Sequence, residues 1–161
     1  MSHAPEQLTM WSVGATSEQQ AQWARCALAT GSRLLAPLRD AVDRAQKEAR
    51  ASLDEMDEDC KGTMAWDSCE DAIDHLELCW LYNCRSDVKE NLWNAEGRRE
   101  GYDTWDRAAL ALHVTQLRRL LAALTTLIGT LNHLSRREAE ELSANDGDEG
   151  RTPADSASLS K

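Results

Sequence analysis

The amino-acid sequence predicts an all-α protein: an antiparallel bundle of three long helices, the first kinked near Pro37, followed by a disordered acidic tail. Three long segments have helical periodicity, short turns join them, and no strand-like alternation competes. The clearest of the three carries apolar residues at steps of three and four, which keeps them on one side of a helix. Their stripe is wide enough for a bundle core and comprises Leu110, Val114, Leu117, Leu121, Leu124, Ile128 and Leu131, widened by Leu120, Leu127 and Leu134.

The first long helix is expected over residues 17–58, after an N-terminal arm formed by residues 1–16. Ser17 and Gln20 have the spacing of a capping box, which marks a helix start. Pro37 removes one backbone hydrogen bond within this segment, but the apolar residues keep the same phase on both sides of it. We therefore predict one kinked helix rather than two separate helices.

The second long helix is expected to begin between Thr63 and Ser68 and to end near Gly97, because Gly marks turns at both ends of this segment. One face of it carries apolar residues at helical spacing, and these are expected to enter the core. They are Trp66, Cys69, Ile73, Leu76, Trp80, Cys84 and Val88.

The third helix begins after a cap at Asp103 or Thr104 and is expected to reach about Leu142, so the predicted bundle domain covers residues 17–142. Three long helices joined by short loops must run up, down and up. Residues 143–161 consist mainly of Ser, Asp, Gly, Glu and Pro. Because such a segment buries too little apolar surface to offset the entropy of ordering, it is predicted to be a disordered acidic tail.

The charge and the cysteine content limit the partners and the cellular compartment that the sequence predicts. The net charge is −10, and residues 54–77 carry ten acidic residues and one Lys. This balance disfavours nucleic acid as a partner, because phosphates reward Lys and Arg. The five Cys residues, without a secretory leader, predict reduced thiols in the cytoplasm. No uncharged apolar run is long enough for a membrane span.

The second helix carries more apolar side chains than one core stripe needs. At about 100° per residue, Leu78, Tyr82 and Trp93 fall opposite the stripe that contains Ile73 and Trp80. An apolar face of this kind marks an interaction site when no helix of the same chain covers it. We therefore predict that Leu78, Tyr82 and Trp93 contact a protein partner or a second copy of the chain, as in a homodimer.

His75 and Cys79 are the candidate metal ligands. They stand four residues apart, so both side chains would lie on one helix face, with Asp71 one turn earlier. Imidazole and thiolate are ligands for Zn²⁺ or Cu⁺, but structural sites normally need four converging groups. The sequence thus predicts no bound metal or cofactor, with a metal-responsive regulator as one alternative.

Arg107 and His113, with five residues between them, resemble the spaced Arg–His motif of HEPN-type ribonucleases, which are all-α proteins. The resemblance covers only this short segment and departs from the family where Ala108 follows the Arg, a position that is often polar. It implies a ribonuclease in which His113 moves a proton of a 2′-hydroxyl while Arg107 stabilises phosphate charge. Without that chemistry, His113 is expected to be a hydrogen-bonded residue of the core or of an interface.

The function that this sequence favours is a non-enzymatic helical protein–protein interaction module: an adaptor, regulator or inhibitor. Helix packing accounts for most of the apolar positions without any chemistry. Signatures of phosphate loops, serine hydrolases and zinc proteases are missing from the sequence. A HEPN-like ribonuclease is the main alternative.

Overall fold

The computed structural model describes residues 17–29 and 31–149, and this part of the chain is helical and contains no strand. The all-α prediction is confirmed, but the described residues form six helices instead of the expected three. They are α1 (Ser17–Ala29), α2 (Ala36–Asp54), α3 (Glu58–Lys61), α4 (Met64–Asp74), α5 (Leu81–Glu96) and α6 (Arg107–Glu149), with single 3-10 turns at Leu78–Trp80 and Tyr102–Thr104. Of the helices described, none is apolar over a stretch long enough to cross a membrane.

The prediction of one kinked helix around Pro37 is wrong. The first segment ends at Ala29, and Pro37 lies in the first turn of α2, where its missing N–H costs no hydrogen bond. Between the two helices, Gly31 has a φ of +75° and donates its N–H to the Leu28 carbonyl, while Ser32 donates to Ala27. This pair of bonds is the Schellman arrangement that terminates helices. Apolar residues that keep the same helical phase on both sides of Pro37 therefore do not require one continuous helix.

The second predicted helix is also divided, into α4 and α5, by a break at residues 75–80. A straight helix would point Leu76 and Leu78 to roughly opposite sides, since two residues rotate by about 200°. The break lets both enter one core, where they are 1% and 4% exposed. Trp80, predicted to lie in the core, is 42% exposed and packs beside the Arg25 guanidinium instead.

Helices α2 and α4 run antiparallel. The side-chain amide of Gln46 donates to the carbonyl of Ile73 at 2.9 Å, and further along α2 the Trp66 indole donates to the carbonyl of Leu53 at 3.4 Å. Residues later in α2 therefore contact residues earlier in α4, as expected for an antiparallel pair. Arg50 lies between these two bonds and pairs with Glu70 at 3.2 Å.

Helices α5 and α6 also run antiparallel. Tyr82 donates to the Asn132 side chain at 2.8 Å, and Glu96, one helix length later, pairs with Arg118 at 2.6 Å. The thiol of Cys84 donates to the Ala72 carbonyl at 3.4 Å, so α5 folds back beside α4. Hence α2, α4, α5 and α6 alternate in direction and surround one core, rather than forming a three-helix bundle.

The apolar stripe predicted for the last helix is the centre of that core. Its positions on α6 are buried or partly buried, and the fully buried members include Leu117, Leu124, Ile128 and Leu131. The helix continues to Glu149, beyond the predicted end near residue 142, so the first part of segment 143–161 is helical. Residues 150–161 and the N-terminal arm, 1–16, lie outside the described residues.

Two glycines are expected to respond in opposite ways to replacement by Ala. Gly101 has a φ of +93°, and a Cβ there would meet the Ala65 backbone nitrogen at 3.2 Å, so Gly101→Ala should destabilise the fold by about 1–3 kcal/mol. Gly129 lies exposed within α6, where a Cβ would meet nothing within 4 Å. Gly129→Ala should stabilise the fold by about 0.5–1 kcal/mol, because Gly is entropically unfavourable in a helix. Urea denaturation of both variants checks the pair, and a change of the same sign in both would contradict it.

Candidate functional site

A cluster of four polar side chains lies inside the helical core. The hydroxyl of Tyr102 is 3.0 Å from Nε2 of His113, 3.1 Å from Sγ of Cys69 and 3.4 Å from Oδ1 of Asn91. Sγ of Cys69 is also 3.3 Å from Nε2 of His113. All four side chains are buried, and they come from α4, α5, the turn before α6 and α6 itself. We call them the Tyr102 cluster.

A strained turn places Tyr102 in the core. Arg98 and Glu100 have φ values of +53° and +50°, and Gly101 follows with +93°. Left-handed residues in close succession reverse the chain sharply after α5. Arg98 supports the turn by donating to the carbonyls of Asp103 and Trp105 at 3.1 and 3.0 Å.

Trp105 connects the Tyr102 cluster to the start of α4. Its ring centroid is 4.8 Å from that of His113 and 4.9 Å from that of Tyr102. Its indole N–H donates at 3.0 Å to the hydroxyl of Thr63, which in turn accepts the backbone N–H of Trp66 and so caps α4. Trp105 thereby holds the Tyr102 cluster against the start of α4.

Burial keeps the titratable members of the cluster uncharged. Desolvation raises the pKa of the Cys69 thiol to about 11, against the lowering effect of its hydrogen bond with Tyr102. Desolvation also raises the pKa of Tyr102, and it lowers the pKa of His113 to about 4. A nucleophilic Cys–His pair needs a thiolate, whereas here both groups are neutral at physiological pH.

A groove between α2 and α6 opens over the cluster. Its volume is about 320 Å³, and Cys69 and His113 line it together with residues of both helices. The α2 wall presents Ala45 and Ala49, whose small side chains leave space beside Leu120 of α6. We call this cavity the α2–α6 groove.

Polar groups lie at defined places in the α2–α6 groove. Gln116 donates to the Ser52 carbonyl at 3.4 Å and so bridges the two helices. Glu48 and Arg119, one from each helix, contribute opposite charges to the lining. The groove thus combines apolar walls with polar groups at fixed positions, as binding sites do.

The residues predicted to form an interface do not share one face. Leu78 is buried in the core, because the break before α5 turns it inward, so its assignment to an outer face is wrong. Tyr82 is half-buried against α6 through its bond to Asn132. Only Trp93 is largely exposed, at 59%, with the Arg99 guanidinium 3.7 Å from its ring centroid.

His75 and Cys79 do not lie on one helix. Helix α4 ends at Asp74, so His75 follows the helix and Cys79 lies in the next 3-10 turn. Nδ1 of the exposed His75 is 2.7 Å from the Asp71 carbonyl, and this bond raises its pKa. Throughout the described ranges, no three His, Cys, Asp or Glu residues are grouped so that they could hold a metal ion.

Arg107 and His113 are placed apart from each other. Arg107 is the exposed first residue of α6, while His113 is 1% exposed. Six helical residues separate their directions by about 120°. His113 is the hydrogen-bonded core residue that its place beside Leu117 in the apolar stripe predicted.

Tyr102, Asn91 and Trp105 belong to the site although the sequence did not predict them there. Two of them lie in or next to the Gly-containing turn before α6, and a large aromatic residue in such a turn is the only local signal. Asn91 has none, because it lies within a helix among charged residues.

Comparisons with protein-family models, with curated proteins and with solved structures find no match. The function is therefore inferred from the geometry of the Tyr102 cluster and of the α2–α6 groove.

Proposed function

We propose that the chain is a non-enzymatic helical protein–protein interaction module, an adaptor, regulator or inhibitor, which binds an apolar segment of a partner in the α2–α6 groove. The groove itself is the observation that carries the proposal. It is an apolar cavity between two antiparallel helices, with Ala45 and Ala49 on one wall and Leu117 and Leu120 on the other. Grooves of this kind bind an amphipathic helix through a few anchoring side chains.

The charges at the groove suit a partner of this kind. Glu48 and Arg119 stand on opposite walls, so the polar side of an amphipathic segment would meet one charge of each sign. Such rim charges contribute more to orientation and association rate than to affinity. The anchoring energy would come from the apolar walls.

The Tyr102 cluster supports a binding role over a catalytic one. Its imidazole and thiol are neutral and hydrogen bonded to each other and to Tyr102. A general base works best with a pKa near the operating pH, and His113 lies well below it. The cluster instead provides a rigid floor for the groove.

Two neighbouring residues of α6 give a matched test. Ala123 lines the α2–α6 groove, while Ala122 is exposed and does not line it. Ala123→Glu should abolish partner binding, because an apolar anchor would then bury an unpaired charge. Ala122→Glu should leave binding unchanged, since its carboxylate stays in water.

The measurement is quantitative affinity capture from cells that contain the protein, with the unaltered chain and both variants as baits. A partner recovered with the unaltered chain and with Ala122→Glu, but lost with Ala123→Glu, supports the proposal. Equal recovery with all three baits would contradict the placement of the binding surface in the groove. Circular dichroism of both variants verifies that each remains folded.

A further inference from the structure

We propose that the partner in the α2–α6 groove is a second copy of this chain, and that α2 of each copy packs against α6 of the other about a two-fold axis parallel to these helices. The inference rests on the proposed function, because it names the partner that the same groove binds. Three features support it: two unpaired opposite charges at one level of the groove, the way a two-fold axis pairs them, and the sizes of the apolar side chains beside them.

Glu48 of α2 and Arg119 of α6 are the charged side chains of the groove lining, one on each wall. Both are exposed, and neither forms an ion pair with another residue that the structure describes. The side chain of Gln116 meets the Ser52 carbonyl where the two antiparallel helices adjoin. Because Glu48 lies four residues before Ser52 and Arg119 lies three residues after Gln116, the two charges stand at nearly the same level.

A two-fold axis can place a second copy on this face in two ways. With the axis parallel to the helices, each residue keeps its level, so Glu48 of each copy faces Arg119 of the other and two pairs form at once. With the axis across the helices at this level, α2 lies against α2 and Glu48 faces Glu48. Because like charges in direct opposition are unfavourable, the charges select the parallel axis.

Apolar side chains of different size face each other in the same arrangement. In the register set by the Gln116 hydrogen bond, Leu120 stands within one residue of the level of Ala49, and Leu127 stands level with Ala41. Between two copies, each of these Leu residues of α6 therefore meets an Ala of α2, and large side chains opposite small ones interdigitate. Leu127 and Ala41 are only partly buried within one copy, so apolar surface remains for the contact.

Other occupants match the two charges less well. Residues 1–16 contain Glu6 but no Lys or Arg, so they offer Glu48 no cationic side chain. An unrelated helix would have to carry one charge of each sign at the required spacing. A second copy supplies both by symmetry, and two-fold dimers are the commonest assemblies of soluble proteins.

Sedimentation velocity of the full chain measures the association. The unaltered protein is expected to form a dimer that dissociates on dilution, and a chain that stays monomeric up to its solubility limit would overturn the proposal. Ala123→Glu places a carboxylate inside the contact and should leave a monomer, while Ala122→Glu should dimerise like the unaltered chain. A dimer that survives Ala123→Glu would use another surface and would contradict the proposal.

Charge reversal tests the pairing itself. Glu48→Arg and Arg119→Glu each replace two attractive pairs of the dimer by two repulsive ones, so each should raise the dissociation constant about tenfold. The variant with both reversals should dimerise like the unaltered chain. Lys47→Glu changes an exposed charge of α2 outside the groove and should alter the dissociation constant less than about twofold. Single reversals that dimerise as tightly as the unaltered chain would show that Glu48 does not face Arg119.

A mixture of the two single variants separates contacts between copies from contacts within one copy. Glu48→Arg has two positive side chains at the groove, and Arg119→Glu has two negative ones. Their equimolar mixture should therefore form a heterodimer with nearly the affinity of the unaltered dimer. A mixture that associates no better than either variant alone would overturn the proposal.

Capture from cells distinguishes this inference from the proposed function. A tagged bait should recover an untagged copy of the chain, and the Ala123→Glu bait should not. If the chain is monomeric and Ala123→Glu still abolishes capture of a different protein, the second copy is rejected and the proposed function stands. A monomer in which Trp11→Ala shifts the Leu120 amide resonance would assign the groove to residues 1–16 and would likewise reject the second copy.

Discussion

Leu124→Ala is expected to lower the free energy of unfolding by about 2–5 kcal/mol, the range typical of a fully buried Leu. Leu124 is 0% exposed and lies near the middle of α6, the helix against which α1, α2 and α5 pack. The loss would include the transfer energy of the removed methyl groups and the cavity left among rigid neighbours. Urea denaturation followed by circular dichroism gives the value.

Leu112 provides the matched control on the same helix. It is 49% exposed, so Leu112→Ala removes little buried surface and should change the free energy of unfolding by less than about 0.5 kcal/mol. Similar losses in the two variants would mean that α6 does not present its Leu124 side to the core. That result would contradict the helix arrangement itself.

The second large effect is a loss of stability in acid caused by His113. Its pKa is about 4 in the folded protein because burial opposes the charged imidazole, and it returns to about 6.5 when the chain unfolds. The unfolded chain therefore takes up a proton as the pH falls through 6.5, while the folded chain stays neutral. Above that pH, His113 is neutral in both states and does not lower the free energy of unfolding. As the pH approaches 4, it lowers the free energy of unfolding by about 3 kcal/mol.

His113→Gln isolates this contribution from the other titrating groups. The difference in free energy of unfolding between the unaltered chain and His113→Gln should shift against the unaltered chain as the pH falls from 6.5 to 4. A difference that stays constant between these pH values would indicate that water reaches the imidazole of His113 and that the Tyr102 cluster is open to solvent.

The sequence predicted those features of the fold that depend on residues close together in the chain. The stripe through Leu117 and Leu124 predicted α6 because helical periodicity is set within a few residues. The breaks were missed because they depend on tertiary burial: Leu76 and Leu78 enter the same core only when the chain turns between them. Pro37 was predicted to kink a helix, although Pro also suits the first turn of a helix. The positive φ of Gly31 ends α1 and so separates it from α2.

The candidate site was predicted less well than the fold. The sequence indicated that His113 is a hydrogen-bonded core residue, because it falls within an apolar stripe. Its partners could not be identified, since Tyr102 and Cys69 are 11 and 44 residues away along the chain. The α2–α6 groove also escaped prediction: it depends on small side chains of α2 facing α6, and that pairing appears only when the helices are assembled.

The wide sequence separation within the Tyr102 cluster has a consequence for how the molecule folds. Single helices form through bonds between residues four apart, but each bond of the cluster closes a loop of at least 11 residues, so entropy is lost before enthalpy is gained. No fragment that lacks α4 or α6 contains Cys69, Tyr102 and His113 together. The native resonances of these three side chains consequently report that α4 and α6 have docked with the turn that carries Tyr102, and they would be absent from an intermediate in which these helices are formed but not yet packed together.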